Sequence, residues 1–285
     1  MVAAPLPPLP APSDAELREL AEVAATLARS VGSVIHSLRV AGVDVAATKS
    51  SLTDVVTAAD HEAERLLTAG LRELRPQDGL LGEEGASIPG TSGITWVVDP
   101  IDGTVNYLYN LPAYAVSIAA TLADGAPGTM ADGRRAVAGA VYLPVTDELF
   151  VAWHGGGAFL NGNQLDGVSD TPLATALLGT GFGYTVERRT EQAEVVRQLI
   201  PRVRDIRRLG SAATDLCLVA AGRLDAYYER GLQPWDYAAG ALVAREAGAT
   251  ILGLDEAPGE PMLIAAAPGL AAELRDAILA ASPAP

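Results

Sequence analysis

The order of the apolar segments constrains the fold of this chain more than any other feature of its sequence. The first two segments carry apolar residues at spacings of three and four, and the segments after them are short apolar runs bounded by Gly, Pro or Asp. Spacings of three and four are typical of amphipathic helices, whereas short bounded runs are typical of strands. We therefore expect two helices followed by a sheet.

The first helix is predicted to begin at Ser13, because Ser13 and Glu16 form the sequence pattern of a capping box. Its apolar residues are Leu17, Leu20, Ala24, Leu27, Val31, Val34 and Leu38. The second helix is predicted from about Thr53 to Leu74, where Pro76 ends it. Both patterns leave one apolar face on each helix.

The strand candidates that follow are GLLGEE, GITWVVD, AYAVSIAATL, AVAGAVYLP and DELFVAW. The last two lie two or three residues apart around Pro144 to Asp147, which predicts a hairpin and hence an antiparallel sheet. After Gly155-Gly156-Gly157 strand and helix patterns alternate, as in α/β proteins. The helices predicted there lie near Val186 to Leu199, from Ser211, from Trp235 and from about Leu270.

This change of pattern divides the chain into three parts. Residues 1–13 are Pro- and Ala-rich and are expected to form a disordered tail. An N-terminal α+β domain is expected at residues 14–155. A C-terminal α/β domain is expected at residues 156–285.

Charge and composition exclude several classes of function. The 35 acidic and 20 basic residues leave a net charge of −15, which repels nucleic acid. The uncharged run at residues 103–123 is long enough to span a membrane, but Asn106, Asn110 and Pro112 favour a turn, a short helix and a buried strand. The start of the chain lacks the features of a secretory signal. A cytoplasmic protein that binds neither nucleic acid nor membrane is therefore expected.

Acidic residues collect where predicted strands end. Glu83 and Glu84 follow one strand, Asp99 ends the next, and Asp102 comes three residues later. Pro100 predicts a rigid turn on which the carboxylates of Asp99 and Asp102 converge. Unpaired, they would repel each other and one pKa would rise, so a cation is expected between them. The alternative is that both residues only satisfy backbone donors of the turn and of the helix after it.

The surrounding residue types indicate which cation. Lys49 is the only lysine, and no basic residue lies between Arg75 and Arg134. One cysteine and three scattered histidines argue against zinc, so oxygen ligands for Mg²⁺ or Mn²⁺ are expected. A helix start at Gly103-Thr104 would add backbone N–H groups for an anion beside the cation. These are the parts needed for metal-assisted attack of water on a phosphate ester.

Other phosphate and ester motifs are weak or absent. The segment Gly179-Thr180-Gly181-Phe182-Gly183 has the wrong spacing for a dinucleotide fingerprint, and we interpret it as a loop with tight backbone turns. The sequence contains neither a Gly-x-x-x-x-Gly-Lys-Ser/Thr motif nor a Gly-x-Ser-x-Gly motif. Nucleotide binding through these loops and esterase chemistry are therefore unsupported.

Four blocks of sequence resemble, in order, the inositol monophosphatase family of the metal-dependent, lithium-sensitive phosphatases. They are Lys49-Ser-Ser-Leu-Thr-Asp54-Val-Val-Thr57-Ala-Ala-Asp60, Gly82-Glu83-Glu84, Trp96-Val-Val-Asp99-Pro-Ile-Asp102-Gly-Thr104-Val-Asn106-Tyr107 and Trp235-Asp236-Tyr-Ala-Ala-Gly240. The resemblance runs from about Ser13 to about Leu270, with Tyr107 where the family often has Phe. It implies a layered α-β-α-β-α sandwich of mixed α+β and α/β class, in which an antiparallel sheet half is followed by a smaller α/β half. The site lies between the halves, and a homodimer is expected.

The resemblance also implies roles for individual residues. The metal ligands would be Glu83, Asp99, the Ile101 carbonyl, Asp102 and Asp236, holding two or three Mg²⁺ ions, with Mn²⁺ as a substitute. The catalytic set would be Glu83, Thr104, Asp60 and Lys49, in which Thr104 orients the attacking water with support from Asp60. The substrate-binding set would be Asp102, Gly103, Thr104, Gly210, Ser211, Ala212, Glu229 and Asp236.

Two of these residues have alternative interpretations. Asp236 stands where a helix opens and could serve only as its N-cap. Glu229 could be an exposed strand-end residue paired with Arg230 or Arg223. As a substrate residue, its carboxylate would instead accept hydrogen bonds from two neighbouring hydroxyls of a polyol.

The expected activity is Mg²⁺-dependent hydrolysis of a small phosphorylated polyol, myo-inositol 1-phosphate, by metal-activated water. The alternatives are a phosphatase of histidinol phosphate, fructose 1,6-bisphosphate or 3′-phosphoadenosine phosphate, or a catalytically idle binding protein with this fold. A bisphosphate would need a further basic cluster. Arg207 and Arg208 are candidates, although two arginines flanking a strand are also typical of a solvated edge.

Overall fold

The structure is a computed structural model that describes residues 12–42, 45–48, 55–124, 130, 132–254 and 257–281. Residues 1–11 of the predicted tail and the predicted site residue Lys49 lie outside the described residues. Within the described ranges, no helix combines the length and the apolar character that crossing a membrane requires.

The helices follow the predicted order closely. They are α1 (Asp14–Ala41), α2 (Ala58–Leu74), α3 (Thr104–Leu108), α4 (Val186–Leu199), α5 (Ala212–Ala220), α6 (Pro234–Glu246) and α7 (Pro268–Ala281), with 3₁₀ turns at Leu173–Thr175 and Ile200–Arg202. The capping box at the start of α1 is confirmed, since the Ser13 N–H donates to Glu16 and the Glu16 N–H donates to the Ser13 hydroxyl. The predicted start of the second helix near Thr53 is wrong. A strand precedes Ala58, and Thr57 caps the helix together with Asp60.

The strands form three sheets. They are β1 (Val45–Thr48), β2 (Val55–Thr57), β3 (Gly79–Gly82), β4 (Ser87–Ile88), β5 (Ile94–Asp102), β6 (Ala115–Leu122), β7 (Arg135–Leu143), β8 (Glu148–Trp153), β9 (Gly157–Leu160), β10 (Asn163–Gln164), β11 (Leu177–Thr180), β12 (Asp205–Arg207), β13 (Ala226–Glu229), β14 (Thr250–Leu252) and β15 (Leu263–Ala266). β1 pairs with β2. The large sheet has the order β10-β9-β8-β7-β6-β5-β3-β4, and the small sheet has the order β12-β11-β13-β15-β14.

Pairing directions agree with the predicted division into an antiparallel half and an α/β half. In the large sheet every pair is antiparallel except β3 with β5, and β7 and β8 form the predicted hairpin. In the small sheet β12, β11 and β13 are parallel, whereas β15 is antiparallel to both of its neighbours.

The helices and the two larger sheets form five layers, which pack on one another through three hydrophobic clusters. One cluster joins α1 and α2 to one face of the large sheet. A second joins the other face of that sheet to α5 and α6, and these helices to the small sheet. The third packs α4 and α7 on the outer face of the small sheet. In β5, Trp96 and Val98 belong to the first cluster and Val97 to the second, as expected when successive side chains of a strand alternate between faces. The layered α-β-α-β-α fold is therefore confirmed.

The change from the large sheet to the small one falls between Gln164 and Leu177. A boundary at residue 155 would detach β9 and β10 from the sheet to which they belong. These strands are short and partly polar, so their sequence carries little strand signal. The division into two domains stays a prediction, because α5 and α6 pack against both sheets.

Candidate active site

A bulge in β5 brings Asp99 and Asp102 together. Asp99 lies opposite Ser117 of β6 and Asp102 opposite Ala115, so β5 contains one more residue than its partner between these pairs. On a regular strand, residues three apart would point to opposite faces, and the extra residue compensates for this. Pro100 lies in the bulge, one of the few places in a sheet that tolerates a residue without an N–H. The predicted convergence of the two carboxylates thus arises from an irregular strand, rather than from a turn after it.

Glu83 and Asp236 come to the same place from other elements. β3 runs parallel to β5 with Gly82 opposite Val98, so Glu83 and Asp99 emerge at the same edge of the sheet. Asp236 lies in the first turn of α6, and its carboxylate accepts the Gln233 N–H at 2.6 Å. Asp99, Asp102 and Asp236 each offer a carboxylate oxygen, and these atoms all lie within 4.8 Å of one another.

Burial and mutual repulsion set the electrostatics of this carboxylate cluster, by which we mean Glu83, Asp99, Asp102 and Asp236. Burial, followed by the charge of Glu83, holds the pKa of Asp99 and of Asp236 well above the usual range. Burial also raises the pKa of Asp102 to about 6, although hydrogen bonds from Ser211 and Ala213 oppose the change.

The cluster fits a hard cation. Among the described residues, no arginine or histidine forms an ion pair with Asp99, Asp102 or Asp236. Buried carboxylates without a counter-charge are costly, and their oxygen atoms are the donors that Mg²⁺ and similar ions prefer. The chain can therefore hold a metal ion at this place.

Asp102 caps a helix, but a different one from the helix that follows it. One of its oxygens accepts the Ser211 hydroxyl and the Ala213 N–H, both at 2.7 Å, at the start of α5. The N-cap of α3 is Gly103, which has φ 96° and makes no side-chain cap. A Cβ at this position would lie 2.9 Å from the Ala113 carbonyl oxygen, so glycine is needed for conformation and for space.

Thr104 and Asp60 form the predicted pair. The Thr104 hydroxyl lies 3.1 Å from a carboxylate oxygen of Asp60 and 3.2 Å from the Ile101 carbonyl oxygen. The other Asp60 oxygen accepts the Thr57 N–H at 2.8 Å and the Thr57 hydroxyl at 2.5 Å. Burial raises the pKa of Asp60 to about 6, and the bonds from Thr57 act against this.

Most predicted site residues line one cleft of 420 Å³ between the two sheets. They are Glu83, Asp99, Ile101, Asp102, Gly103, Thr104, Gly210, Ala212, Glu229 and Asp236. Ser211 is buried behind the cleft, where it hydrogen-bonds Asp102, and Asp60 reaches the cleft only through Thr104.

Glu229 is not the exposed, ion-paired residue of the alternative interpretation. The Tyr227 hydroxyl donates to its carboxylate at 2.5 Å, and burial raises its pKa to about 7. Arg230 instead pairs with Glu191 at 2.7 Å, and Arg223 pairs with Glu148. The cap interpretation of Asp236, in contrast, is compatible with a site role, because a carboxylate has two oxygens and capping uses one of them.

Sequence reasoning missed part of the cleft wall. Phe182, Gly183, Tyr184, Thr185, Arg188, Gln233 and Trp235 also line it. The glycine-rich segment was the available signal. Its interpretation as a loop holds for Gly181 to Gly183, whereas Gly179 lies in β11, and neither Gly181 nor Gly183 has a positive φ. Of the two candidate arginines, Arg208 lines the cleft, whereas Arg207 pairs with Asp205 at 2.6 Å.

Asn106 connects the two halves of the cleft. Its side-chain amide donates to the Ala113 carbonyl at 2.6 Å and to the Leu209 carbonyl at 2.7 Å. It therefore holds the loop that carries Gly210 against the segment that carries Gly103 and Thr104.

Comparisons with known proteins agree with this geometry. A family model described as the inositol monophosphatase family matches residues 16–283. Inositol-1-monophosphatase SuhB of Mycobacterium tuberculosis (strain ATCC 25618 / H37Rv) is 50% identical over 243 residues, which cover 81% of this chain and 80% of that protein. Nus factor SuhB of Escherichia coli (strain K12) is 38% identical over 237 residues, which cover 82% of this chain and 85% of that protein. The solved structure of Mycobacterium tuberculosis SuhB matches with a TM-score of 0.77 and 44% identity, covering 93% of this chain and 97% of that one. The chain belongs to the inositol monophosphatase family.

Proposed function

We propose that this protein is a Mg²⁺-dependent phosphatase that hydrolyses myo-inositol 1-phosphate to inositol and phosphate. The observation that carries the proposal is the carboxylate cluster, in which Asp99 and Asp102 are buried, and which shares one cleft with Thr104, the partner of Asp60, and with Glu229. The name of the mycobacterial relative, inositol-1-monophosphatase, supports the same substrate.

Glu83, Asp99, Asp102, Asp236 and the Ile101 carbonyl would hold the metal. A bound divalent cation neutralises the charge of a phosphate and makes water a stronger nucleophile. The two or three Mg²⁺ ions and the substitution by Mn²⁺ that the sequence predicts are part of this proposal. So is inhibition by Li⁺, which a titration of Li⁺ at saturating Mg²⁺ would measure.

Thr104 and Asp60 would take up the proton of the attacking water. A water molecule that donates to the Thr104 hydroxyl allows that hydroxyl to donate to Asp60 at 3.1 Å. With a pKa of about 6, Asp60 is mostly ionised at pH 7 and can accept the proton.

The opposite wall of the cleft would bind the polyol. Glu229 offers a half-buried carboxylate to two neighbouring hydroxyls, and Gly210 and Ala212 line the cleft without long side chains. A hydrogen-bonding group of this kind discriminates strongly against a substrate that lacks hydroxyls.

The test is the release of inorganic phosphate from a panel of substrates. The panel contains inositol 1-phosphate, histidinol phosphate, fructose 1,6-bisphosphate, 3′-phosphoadenosine phosphate and glycerol 2-phosphate. We expect the highest kcat/KM on inositol 1-phosphate and no release without divalent metal. A higher kcat/KM on fructose 1,6-bisphosphate would contradict the proposal and assign Arg208 to a second phosphate.

A binding function without catalysis is the second candidate, because the E. coli relative bears the name Nus factor. The raised pKa values of Asp99 and Asp236 speak against it, since repelling carboxylates of this kind lower stability unless a cation is bound. Absence of phosphate release from every substrate, with no effect of Mg²⁺ on the melting temperature, would favour this candidate. The predicted homodimer and cytoplasmic location stay predictions, and sedimentation velocity of the purified protein would measure the oligomeric state.

A further inference from the structure

The carboxylate of Glu229 accepts a hydrogen bond from Tyr227, a residue that has no role in the proposed mechanism. Tyr227 lies two positions earlier on β13, and therefore on the same face of the small sheet. Its side chain is fully buried among residues of α5 and α6, and its hydroxyl donates to a carboxylate oxygen of Glu229 at 2.5 Å. An aromatic ring enclosed on all sides cannot turn away, so the hydroxyl stays in place.

The carboxylate also occupies a space that only glycine leaves free. A Cβ on Gly181, which follows β11, would lie 1.8 to 2.3 Å from the three carboxyl atoms of Glu229. Gly181 has no positive φ, so the backbone itself would accept alanine. Gly181 thus provides room for the carboxylate, and Tyr227 provides its hydrogen bond.

We propose that Tyr227 is a positioning residue that sets the preference for a phosphate ester with two neighbouring hydroxyls, by holding the carboxylate of Glu229 in its orientation towards the cleft. The inference rests on the proposed function, in which Glu229 binds the polyol hydroxyls. Tyr227 contacts no substrate in this arrangement and acts only through Glu229.

The charges around Glu229 explain why such a donor is needed. Burial disfavours the ionised carboxylate, and the neighbouring charge of Asp102 does so further. The hydrogen bond from Tyr227 and the charge of Arg208 lower the pKa of Glu229 against these effects. Asp215, whose pKa burial also raises, adds a second acidic group close to the same place. Without the hydroxyl, the ionised carboxylate would lose a direct hydrogen-bond donor, and its orientation would be held less firmly.

The experiment measures kcat and KM of Tyr227→Phe on inositol 1-phosphate and on glycerol 2-phosphate, whose two hydroxyls do not lie on adjacent carbons. We expect kcat/KM on inositol 1-phosphate to fall about three- to tenfold, mostly through KM, with glycerol 2-phosphate nearly unaffected, as a single lost hydrogen bond suggests. The matched control is Tyr228→Phe. It makes the same chemical change on the next residue of β13, whose side chain packs on the opposite face against α4 and α7. The control should leave the ratio of kcat/KM values for the two substrates unchanged.

A double-mutant cycle separates positioning from a general structural effect. In a Glu229→Gln background, Tyr227→Phe should change the substrate ratio by less than about twofold, because the residue through which it acts is already altered. Gly181→Ala is a second, independent variant that displaces the same carboxylate, and it should reproduce the selective loss. It also keeps the inference testable if Tyr227→Phe does not fold.

Each outcome either supports or overturns the positioning role of Tyr227. Equal losses on both substrates in Tyr227→Phe or Gly181→Ala, or an undiminished effect of Tyr227→Phe in the Glu229→Gln background, would overturn the positioning role. So would a wild-type preference for inositol 1-phosphate that survives both variants. A wild-type enzyme with no preference for inositol 1-phosphate would instead overturn the proposed function, and this inference with it.

Discussion

The side chain of Asp102 has two roles, as a helix cap and as a member of the carboxylate cluster. One of its oxygens caps α5 through Ser211 and Ala213, while the carboxylate also belongs to the acidic cluster. Capping and metal binding require different properties of the side chain. Capping requires an acceptor oxygen, which asparagine also has, whereas metal binding requires negative charge.

Asp102→Asn should therefore separate helix capping from metal binding. We expect kcat to fall at least 100-fold, the size of effect seen when one electrostatic contact to a transition state is lost. The melting temperature without metal should not fall, because the substitution removes a charge that burial disfavours. Phosphate release and thermal melting measure the two quantities.

Ser211→Ala is the control, since it removes a hydrogen bond to Asp102 and keeps the charge. It should cost about 1 kcal/mol of stability as a lost N-cap, with a smaller effect on kcat than Asp102→Asn. If Asp102→Asn kept more than a tenth of the wild-type kcat, Asp102 would not be a metal ligand.

The starts of three helices contact carboxylates of the site. Asp60 lies in the first turn of α2 and Asp236 in the first turn of α6, and each accepts a backbone N–H of its own cap. Asp102 accepts a backbone N–H of α5. Free N–H groups and the helix dipole stabilise negative charge at these places, which partly offsets the burial of the carboxylates.

Asp236→Asn and Asp236→Ala distinguish the cap from the ligand. Asparagine keeps an acceptor for the Gln233 N–H, so only catalysis should be lost, again by a large factor. Alanine should lose catalysis and in addition about 1 kcal/mol of stability. A melting temperature that falls in Asp236→Asn while kcat is unchanged would show that Asp236 is only a cap residue.

The cap of α2 should control the pH dependence of activity. Asp60 must be ionised to accept a proton from Thr104, so kcat should decline as the pH falls through about 6. Thr57→Ala removes the hydroxyl that donates to Asp60 and favours its ionised form. We therefore expect the acidic limb of the kcat profile to move to higher pH in this variant. An unchanged limb would exclude Asp60 as the group that titrates.

At the scale of the whole molecule, the site lies where two sheets with different pairing directions share one helical layer. The large sheet contributes Glu83, Asp99 and Asp102, and elements after the change of sheet contribute Glu229 and Asp236. Bringing these carboxylates together stores repulsion in the folded protein, which is absent when the chain is unfolded. The stability of the molecule should therefore depend on pH and on metal together.

Metal-free protein should be less stable at pH 8 than at pH 5. Asp99, Asp102 and Asp236 have folded-state pKa values above their unfolded values, so the folded protein binds more protons than the unfolded chain. The stability they contribute is present below the unfolded pKa, near 4, and is lost as pH rises through about 6 and above.

Mg²⁺ should reverse this loss. At 100 times its Kd it should raise the melting temperature by roughly 5 °C at pH 8, and by much less at pH 5, where protons compete for the same oxygens. Differential scanning calorimetry with and without Mg²⁺ at both pH values measures the four melting temperatures. Equal shifts at pH 5 and pH 8 would contradict the assignment of the cluster as the binding site.

The order of the helices and of the longer strands, and the residue types of the site, could be predicted from the sequence. Apolar periodicity and caps act over a few residues, so α1, α4 and the hairpin of β7 and β8 could be predicted from local pattern alone. The motifs around Asp99 and Asp236 identified the family for the same reason, because each is a short continuous block.

Contacts between groups that are distant in the sequence, in contrast, depend on how the elements pack. Asp102 caps a helix that begins more than a hundred residues later, Gly181 makes room for Glu229, and Tyr227 holds Glu229 in place. The bulge in β5 likewise depends on the register with β6. Such contacts depend on how the layers pack, and the periodicity of a short stretch of sequence does not specify which residues meet between layers. The residue types of the site could therefore be predicted from the sequence, whereas their arrangement in space depends on the fold.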